Sequence, residues 1–373
     1  MSRREQSNFF FLRKIIRKYY SKKPLEEPIY LHKREIALQS LEDGVYIRHL
    51  CFPSMSKLYN YILNEKTPLH LYYSSAYYDD PSNDKMELKG WLGSDLMFDI
   101  DADRYSGCDK IYTICIGSNK IYEGKTECPG NEEPIHYPII TSKCIERAFY
   151  DVVKLYIILR EEFGFKDIRV YFSGNKGFHI KVCDESVLDL TRDERREIAS
   201  YILLENINVE KIFPPVGSRK KYAIISNKEH GLRKRILRLI KNSGVEYEVM
   251  GEYIKIPYDE LLVLVEEAKV NIDAVVTMDT SRLSRFGYSL NCKSGLMVRP
   301  IDIEKFTGFK FVDYSPWQGG IIVKPLIDAT LPVFDENIEL KRGTPTYLES
   351  HIAIYLAFKN LVKIIDLKDF GVQ

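Results

Sequence analysis

The chain reads as a mixed α/β (α+β) protein, a single catalytic domain in which mixed β-sheets are flanked by helices and interrupted by two insertions. Three observations predict this class. Strand-like runs alternate with amphipathic helical stretches along most of the chain. Residues 104 to 143 lose helical periodicity and fill with Gly, Ser, Asn, Cys and Pro, as an inserted segment would. Residues 214 to 270 open on a Pro-Pro break and carry two more helical patterns, which predicts a second, helical insertion. A length of 373 residues accommodates one such domain spanning residues 1 to 373.

Taken in order, residues 9 to 22 form a basic amphipathic helix, either packed with its cationic face in water or touching nucleic acid. Tyr46-Ile47-Arg48-His49-Leu50 and His70-Leu71-Tyr72-Tyr73-Ser74-Ser75 alternate like strands. An apolar strand follows residues 93 to 95 and ends near residue 102. Residues 143 to 163 place Ile145, Ala148, Phe149, Val152, Leu155, Tyr156 and Leu159 on one helical face. Arg169-Val170-Tyr171-Phe172 is a strand leading into a Gly-containing turn, and Thr191-Arg192-Asp193-Glu194 is a capping box. A basic helix over 231 to 242 and an acidic-apolar helix over 258 to 269 occupy the second insertion. Residues 271 to 330 return to β structure, and the tail beyond 340 ends in a helix.

Composition excludes some classes. A net charge of +1 provides no global basic field, so any nucleic-acid surface must be a local patch. No apolar stretch approaches the length of a membrane span, and no secretory leader is visible, which predicts a cytoplasmic protein. Seven irregularly spaced cysteines predict a reducing compartment rather than a disulfide framework.

The chemistry begins at Phe98-Asp99-Ile100-Asp101. Residues i and i+2 of a strand point the same way, so Asp99 and Asp101 project together. Two carboxylates that close repel, and a divalent cation between them is the cheapest relief. Hard oxygen ligands favour Mg²⁺ or Mn²⁺, the ions that handle phosphates. A pair of strand-end aspartates standing in water is the plainer alternative. Next comes Ser173-Gly174-Asn175-Lys176-Gly177-Phe178-His179, in which glycines let backbone amides approach an anion while Lys176, Ser173 and His179 add charge and donors. Such a set suits a nucleoside triphosphate, although a lone turn of this kind is also an ordinary β-turn and His179 could be a satisfied, half-buried histidine. Asn271 to Asp279, read as a strand, then offers Asp273 and Asp279, with Arg282 and Arg285 just beyond. A third carboxylate is what a two-metal phosphoryl-transfer site needs.

Together these motifs resemble the small catalytic subunit of archaeo-eukaryotic DNA primase: Asp-x-Asp on a strand, then Ser-Gly-x-x-Gly-x-His, then a late Asp followed by Arg-Leu-x-Arg-x-x-x-Ser-Leu. The match keeps its order from Arg34-Glu35 to about residue 300. The resemblance implies that Asp99, Asp101 and Asp273 bind two catalytic Mg²⁺ or Mn²⁺ ions, with Asp279 ranked second to Asp273. It implies that Ser173, Gly174, Asn175, Lys176, His179, Arg285 and Asn291 hold the incoming nucleotide, with Arg34 and Arg282 as secondary candidates. Many relatives have Ser-Leu-His-Gly where this chain has Ser289-Leu290-Asn291-Cys292, so one phosphate contact is altered.

The family also carries a zinc knuckle in the first insertion. Cys108, Cys115, Cys128 and His136 are the expected Zn²⁺ ligands, with Cys144 as an alternative to His136 and a knuckle without metal as the rival reading. The activity implied is synthesis of short RNA or DNA primers on single-stranded DNA from NTPs or dNTPs, in a heterodimer with a large primase subunit and away from any membrane. A repair or end-joining polymerase of the same superfamily and a non-catalytic nucleic-acid-binding subunit are the alternatives.

Overall fold

The computed structural model describes residues 8 to 373. Its labelled elements, in chain order, are α1 (Phe9–Tyr20), β1 (Ile36–Ser40), β2 (Tyr46–Leu50), α2 (Met55–Asn64), β3 (Pro68–Ser74), β4 (Leu96–Asp101), α3 (Ser142–Ile157), β5 (Ile168–Phe172), β6 (Gly177–Val182), α4 (Arg192–Leu203), α5 (Gly231–Asn242), α6 (Tyr258–Glu267), α7 (Ala274–Met278), β7 (Leu283–Arg285), β8 (Arg299–Pro300) and α8 (Ser350–Phe358). Two four-stranded antiparallel sheets organise the domain, with orders β7-β3-β1-β2 and β8-β5-β6-β4.

Local chemistry explains the helices around these sheets. The Thr141 side chain accepts from the Cys144 amide at the start of α3, and Ile145, Ala148, Phe149, Asp151, Val152 and Leu155 are buried. Phe149 packs on Phe178 of β6, centroids 5.5 Å apart, so α3 lies against the second sheet. Tyr156, expected on the buried face, is only partly covered. Both limbs of the capping box form at α4: Thr191 accepts from the Glu194 amide, and Glu194 accepts from the Thr191 amide. The basic residues of α1 stand outside a buried stripe of Leu12, Ile15, Ile16, Tyr19 and Tyr20, so the helix packs through its apolar face.

The first insertion contributes a small antiparallel sheet in which Ile111–Cys115 lies between Lys120–Glu123 and Ile135–Pro138. Residues 214 to 270 are not purely helical. Tyr222–Ser226, Tyr253–Pro257 and Glu248–Met250 form a three-stranded sheet on which α6 packs, with α5 against α6. Short β-branched strands between strong helical patterns carry too little periodicity to stand out. This stretch has its own apolar cluster, from Leu204 to Ala268, separate from the main core that runs from Leu12 to Val372. The tail does not stop at a helix: Val362–Asp366 and Gly371–Val372 follow α8 and pair with upstream strands.

The cysteines depart from expectation. Cys108 is bonded to Cys144, and Cys115 to Cys128, leaving Cys51, Cys183 and Cys292 free. Three of the four expected zinc ligands are therefore bonded in two disulfides and present no thiolate to a metal. His136 instead has its Nδ1 3.4 Å from the Thr113 hydroxyl. The residues present do not fit a structural Zn²⁺ site, and the chain does carry disulfides. Irregular spacing alone does not reveal which thiols the fold brings together.

Candidate active site

Strands β4 and β6 run antiparallel with Asp99 opposite His179 and Asp101 opposite Gly177. Directly opposed residues share a face, so both aspartates and His179 look the same way. Gly177 is required there: a Cβ would lie 2.3 Å from the Ile100 carbonyl and 2.7 Å from Asp101 Oδ1. A cavity of about 260 Å³ opens over this face. Asp99, Asp101, Ser173, Asn175, Lys176, His179, Arg282, Arg285 and Asn291 line it, joined by Tyr72, Met97, Val276, Leu283, Ser284 and Lys293.

The cavity sets two carboxylates against several cations. Lys176 Nζ lies 3.2 Å from Asp101 Oδ2 and also pairs with Asp103. Asp99 Oδ1 lies 2.6 Å from His179 Nδ1. That contact falls outside hydrogen-bond geometry and leaves Asp99 Oδ1 buried without a hydrogen-bond partner; the other ring nitrogen, His179 Nε2, is likewise buried without one. Burial pushes the Asp99 carboxyl up, but His179, then Arg282 and Arg104, outweigh it and the net direction is down. Asp101 goes the other way: burial and then the Asp99 charge raise it, and Lys176 offsets only part.

Asp273 sits beside this pair through its backbone, its N–H donating to the Asp99 carbonyl at 3.0 Å. The expected strand here is a short helix, α7, and the Asp273 side chain caps it by accepting from the Val275 amide at 3.0 Å. Asp273 Oδ2 is also 2.8 Å from Arg104 Nη2. Its carboxylate is thus engaged at the flank of the cavity and is not among the lining groups. Among the described residues, no three carboxylates, imidazoles or thiols converge as a ready-made metal cage. The Asp99 and Asp101 oxygens do fit a hard cation, because they face one cavity, repel each other and include a buried oxygen with no donor.

The turn between β5 and β6 is held from below. Ser173 Oγ accepts from the Gly177 amide at 3.2 Å, Asn291 Nδ2 donates to the Ser173 carbonyl at 2.9 Å, and Ser294 donates to the Gly174 carbonyl. Gly174 takes φ +74°, a left-handed conformation that favours glycine. Asn291 braces the turn by its amide. Opposite, Arg285 Nη1 approaches His70 Nδ1 at 3.0 Å and its guanidinium stacks 4.8 Å over Tyr72. Burial, with Arg285 and Lys293 nearby, pushes His70 down to about 2, so its ring is neutral and Nδ1 accepts. Lys293 is held below its ordinary value by burial, then by Arg285 and Lys176.

Two secondary candidates fall elsewhere. Arg34 is buried away from the cavity in an ion pair with Asp95, 2.8 Å, and donates to the Ser74 carbonyl and Tyr77 hydroxyl, so it holds strands together. Asp279 accepts from Ser281 at the end of α7 and does not line the cavity. Sequence reasoning missed Tyr72 and Lys293. Lys293 lies two residues past Asn291 and Tyr72 lies on an expected strand, but neither spacing by itself signals chemistry.

Comparison with known proteins decides the family. A family model described as the DNA primase small subunit matches residues 136–303, and a second, for a primase C-terminal domain, matches residues 319–366. The chain is 58% identical to the DNA primase small subunit PriS of Staphylothermus marinus over 98% of its own length and 97% of the relative's. It is 37% identical to PriS of Saccharolobus islandicus, with 96% of each protein covered, and 35% identical to PriS of Aeropyrum pernix, with 93% and 91% covered. The chain belongs to the DNA primase small-subunit family. Its enzyme class follows, a nucleotidyltransferase that makes primers. No helix among the described residues is long and apolar enough to cross a membrane.

Proposed function

We propose that the cavity over β4 and β6 is the nucleotidyl-transfer site, joining NTPs or dNTPs into a primer on single-stranded DNA. The observation that carries this reading is the pairing of Asp99 and Asp101, two carboxylates pushed in opposite pKa directions, against the His179 ring and the basic side chains of Lys176, Arg282, Arg285 and Lys293 around one cavity. Asp99 and Asp101 would hold divalent ions, Mg²⁺ or Mn²⁺, with Asp273 joining them once its carboxylate leaves Arg104. Bound there, such ions supply charge neutralisation on the triphosphate and a lower pKa for the attacking 3′-hydroxyl.

The protein's own residues do the positioning. Lys176 and Arg285 approach the triphosphate from two sides. His179 keeps Asp99 ionised and turns its unpartnered Nε2 to the nucleotide. Ser173, Gly174 and Asn175 offer the turn, and Asn291 keeps that turn in place. Holding two loose nucleotides together is an entropic problem, which a cavity with fixed cations reduces. A large subunit would complete the heterodimer, at the replication fork in the cytoplasm. Residues 1 to 373 would act as one catalytic unit, with 104 to 143 and 214 to 270 inserted.

A purely nucleic-acid-binding role gains nothing from adjacent carboxylates, which repel a phosphate backbone. The relatives, named as primase subunits, favour primer synthesis over end joining. The test is dinucleotide formation from NTPs on single-stranded DNA, with and without a large subunit. Product that requires Mg²⁺ or Mn²⁺ supports the reading; folded protein that makes no product in either setting contradicts it.

A further inference from the structure

Lys181 is buried, only 2% exposed, on the catalytic face of β6 two residues beyond His179. Among the described residues no carboxylate pairs with it. A buried ammonium without a counter-ion is costly, and an apolar side chain would fill the position more cheaply. What surrounds it is specific. Its Nζ donates to the Tyr73 hydroxyl at 2.5 Å and to the Arg285 carbonyl at 3.3 Å, and the charge sits 4.6 Å from the ring centroids of both Tyr73 and Tyr171. Tyr73 belongs to β3 and Arg285 to β7, both in the first sheet, whereas Lys181 and Tyr171 belong to the second. One side chain thus ties together, behind the cavity, the sheet that carries the cationic wall and the sheet that carries the carboxylates.

A second tie runs alongside. The Glu26 N–H donates to the Gly287 carbonyl at 3.1 Å, and the Tyr171 hydroxyl donates to the Glu26 carboxylate at 2.9 Å. The segment bearing Arg285 is therefore fastened at both of its ends to groups that contact β5 or β6.

We propose that Lys181 is a positioning residue for nucleotide binding: its buried ammonium holds the Arg285 backbone so that the guanidinium faces Asp99 and Asp101 at a set separation. This rests on the reading of Arg285 as a triphosphate contact. Removing the tie loosens Arg285 without touching the carboxylates, so nucleotide affinity falls more than turnover.

The experiment compares the full-length protein with Lys181→Met, Lys181→Arg and Tyr73→Phe, with Asp101→Asn as a control. Steady-state primer synthesis and equilibrium binding of an NTP analogue that cannot transfer its α-phosphate are both measured below the melting temperature. For Lys181→Met the KM and the analogue Kd rise roughly 10-fold while kcat falls less than about 3-fold, the pattern of lost positioning in the bound state. Lys181→Arg restores most of the affinity. Tyr73→Phe, which removes one partner and keeps the fold, raises KM about 2- to 3-fold and carries the test if Lys181→Met does not fold. Unchanged KM and Kd in Lys181→Met or, should that variant not fold, in Tyr73→Phe overturn the proposal, as does a loss confined to kcat. Full activity in Asp101→Asn would instead overturn the reading of the site itself, so the two failures are distinguishable.

Discussion

His179 stands opposite Asp99 across the β4–β6 pair, and its Nδ1 lies 2.6 Å from Asp99 Oδ1. Burial alone would raise that carboxyl; the imidazole is the largest opposing influence and turns the direction downward. An ionised Asp99 at the bottom of a cavity is what a cation needs.

His179→Ala should therefore move the acidic limb of the pH–rate profile upward. With the ring gone, burial dominates, the Asp99 carboxyl titrates at higher pH, and the cation-binding form is lost sooner on acidification. A primer-synthesis profile measured from pH 5 to 9 checks this, and an unmoved acidic limb contradicts it.

Asp101→Asn should separate stability from function. Asp101 carries a raised pKa, so its ionisation opposes folding, and this penalty grows as pH rises through the unfolded and then the folded titration range. Asparagine removes the repulsion with Asp99 but also the Lys176 pair. The expected net effect is an equal or higher melting temperature in metal-free buffer, by about 1–3 °C, beside loss of primer synthesis. Differential scanning calorimetry at pH 7 measures the first. A drop of several degrees would contradict the account.

Arg104→Ala should tighten divalent-ion use. Arg104 occupies the Asp273 carboxylate at 2.8 Å, with its side chain 41% exposed. An exposed pair of this kind is worth up to about 1 kcal/mol, so releasing Asp273 should lower the half-saturating Mg²⁺ concentration by about 2- to 5-fold. Titrating Mg²⁺ against initial rate tests it; a rise instead would show that Arg104 is needed to place Asp273.

The thiols give a prediction independent of activity. Denatured, unreduced protein should show three reactive thiols and no stoichiometric zinc. Reduction should lower the melting temperature, because bridges closing 13- and 36-residue separations each constrain the unfolded chain by roughly 3–4 kcal/mol in the loop-entropy description. Seven thiols with one bound zinc per molecule would contradict the structure of the first insertion.

Much of this was legible in the sequence, and the reasons differ by element. The helix over residues 142 to 157 announces itself by period, because burial on one face leaves a regular apolar spacing, whereas the strand over residues 96 to 101 shows as an apolar run, its first three residues buried in succession. The placement of Asp99 and Asp101 on one face follows from strand geometry alone. Asp273 was singled out by motif, but its helix was not foreseen: Val275, Val276 and Thr277 favour strands, and only the Asp273 cap and packing against α4 and β4 make them helical. Arg34 was singled out because Arg34-Glu35 matches a motif of the family it resembles; its partner Asp95 is distant in sequence, so a core ion pair and a site arginine read alike there. The pairing of Cys108 with Cys144 depends on where α3 begins relative to the first insertion, a tertiary fact.

The most direct test of the central claim is Mg²⁺- or Mn²⁺-dependent dinucleotide synthesis by Asp99→Asn and Asp101→Asn, each verified as folded by circular dichroism. The account predicts that both fold and both lose at least about 100-fold in rate, the scale expected when transition-state charge loses its support. Near-normal synthesis by either folded variant would contradict it.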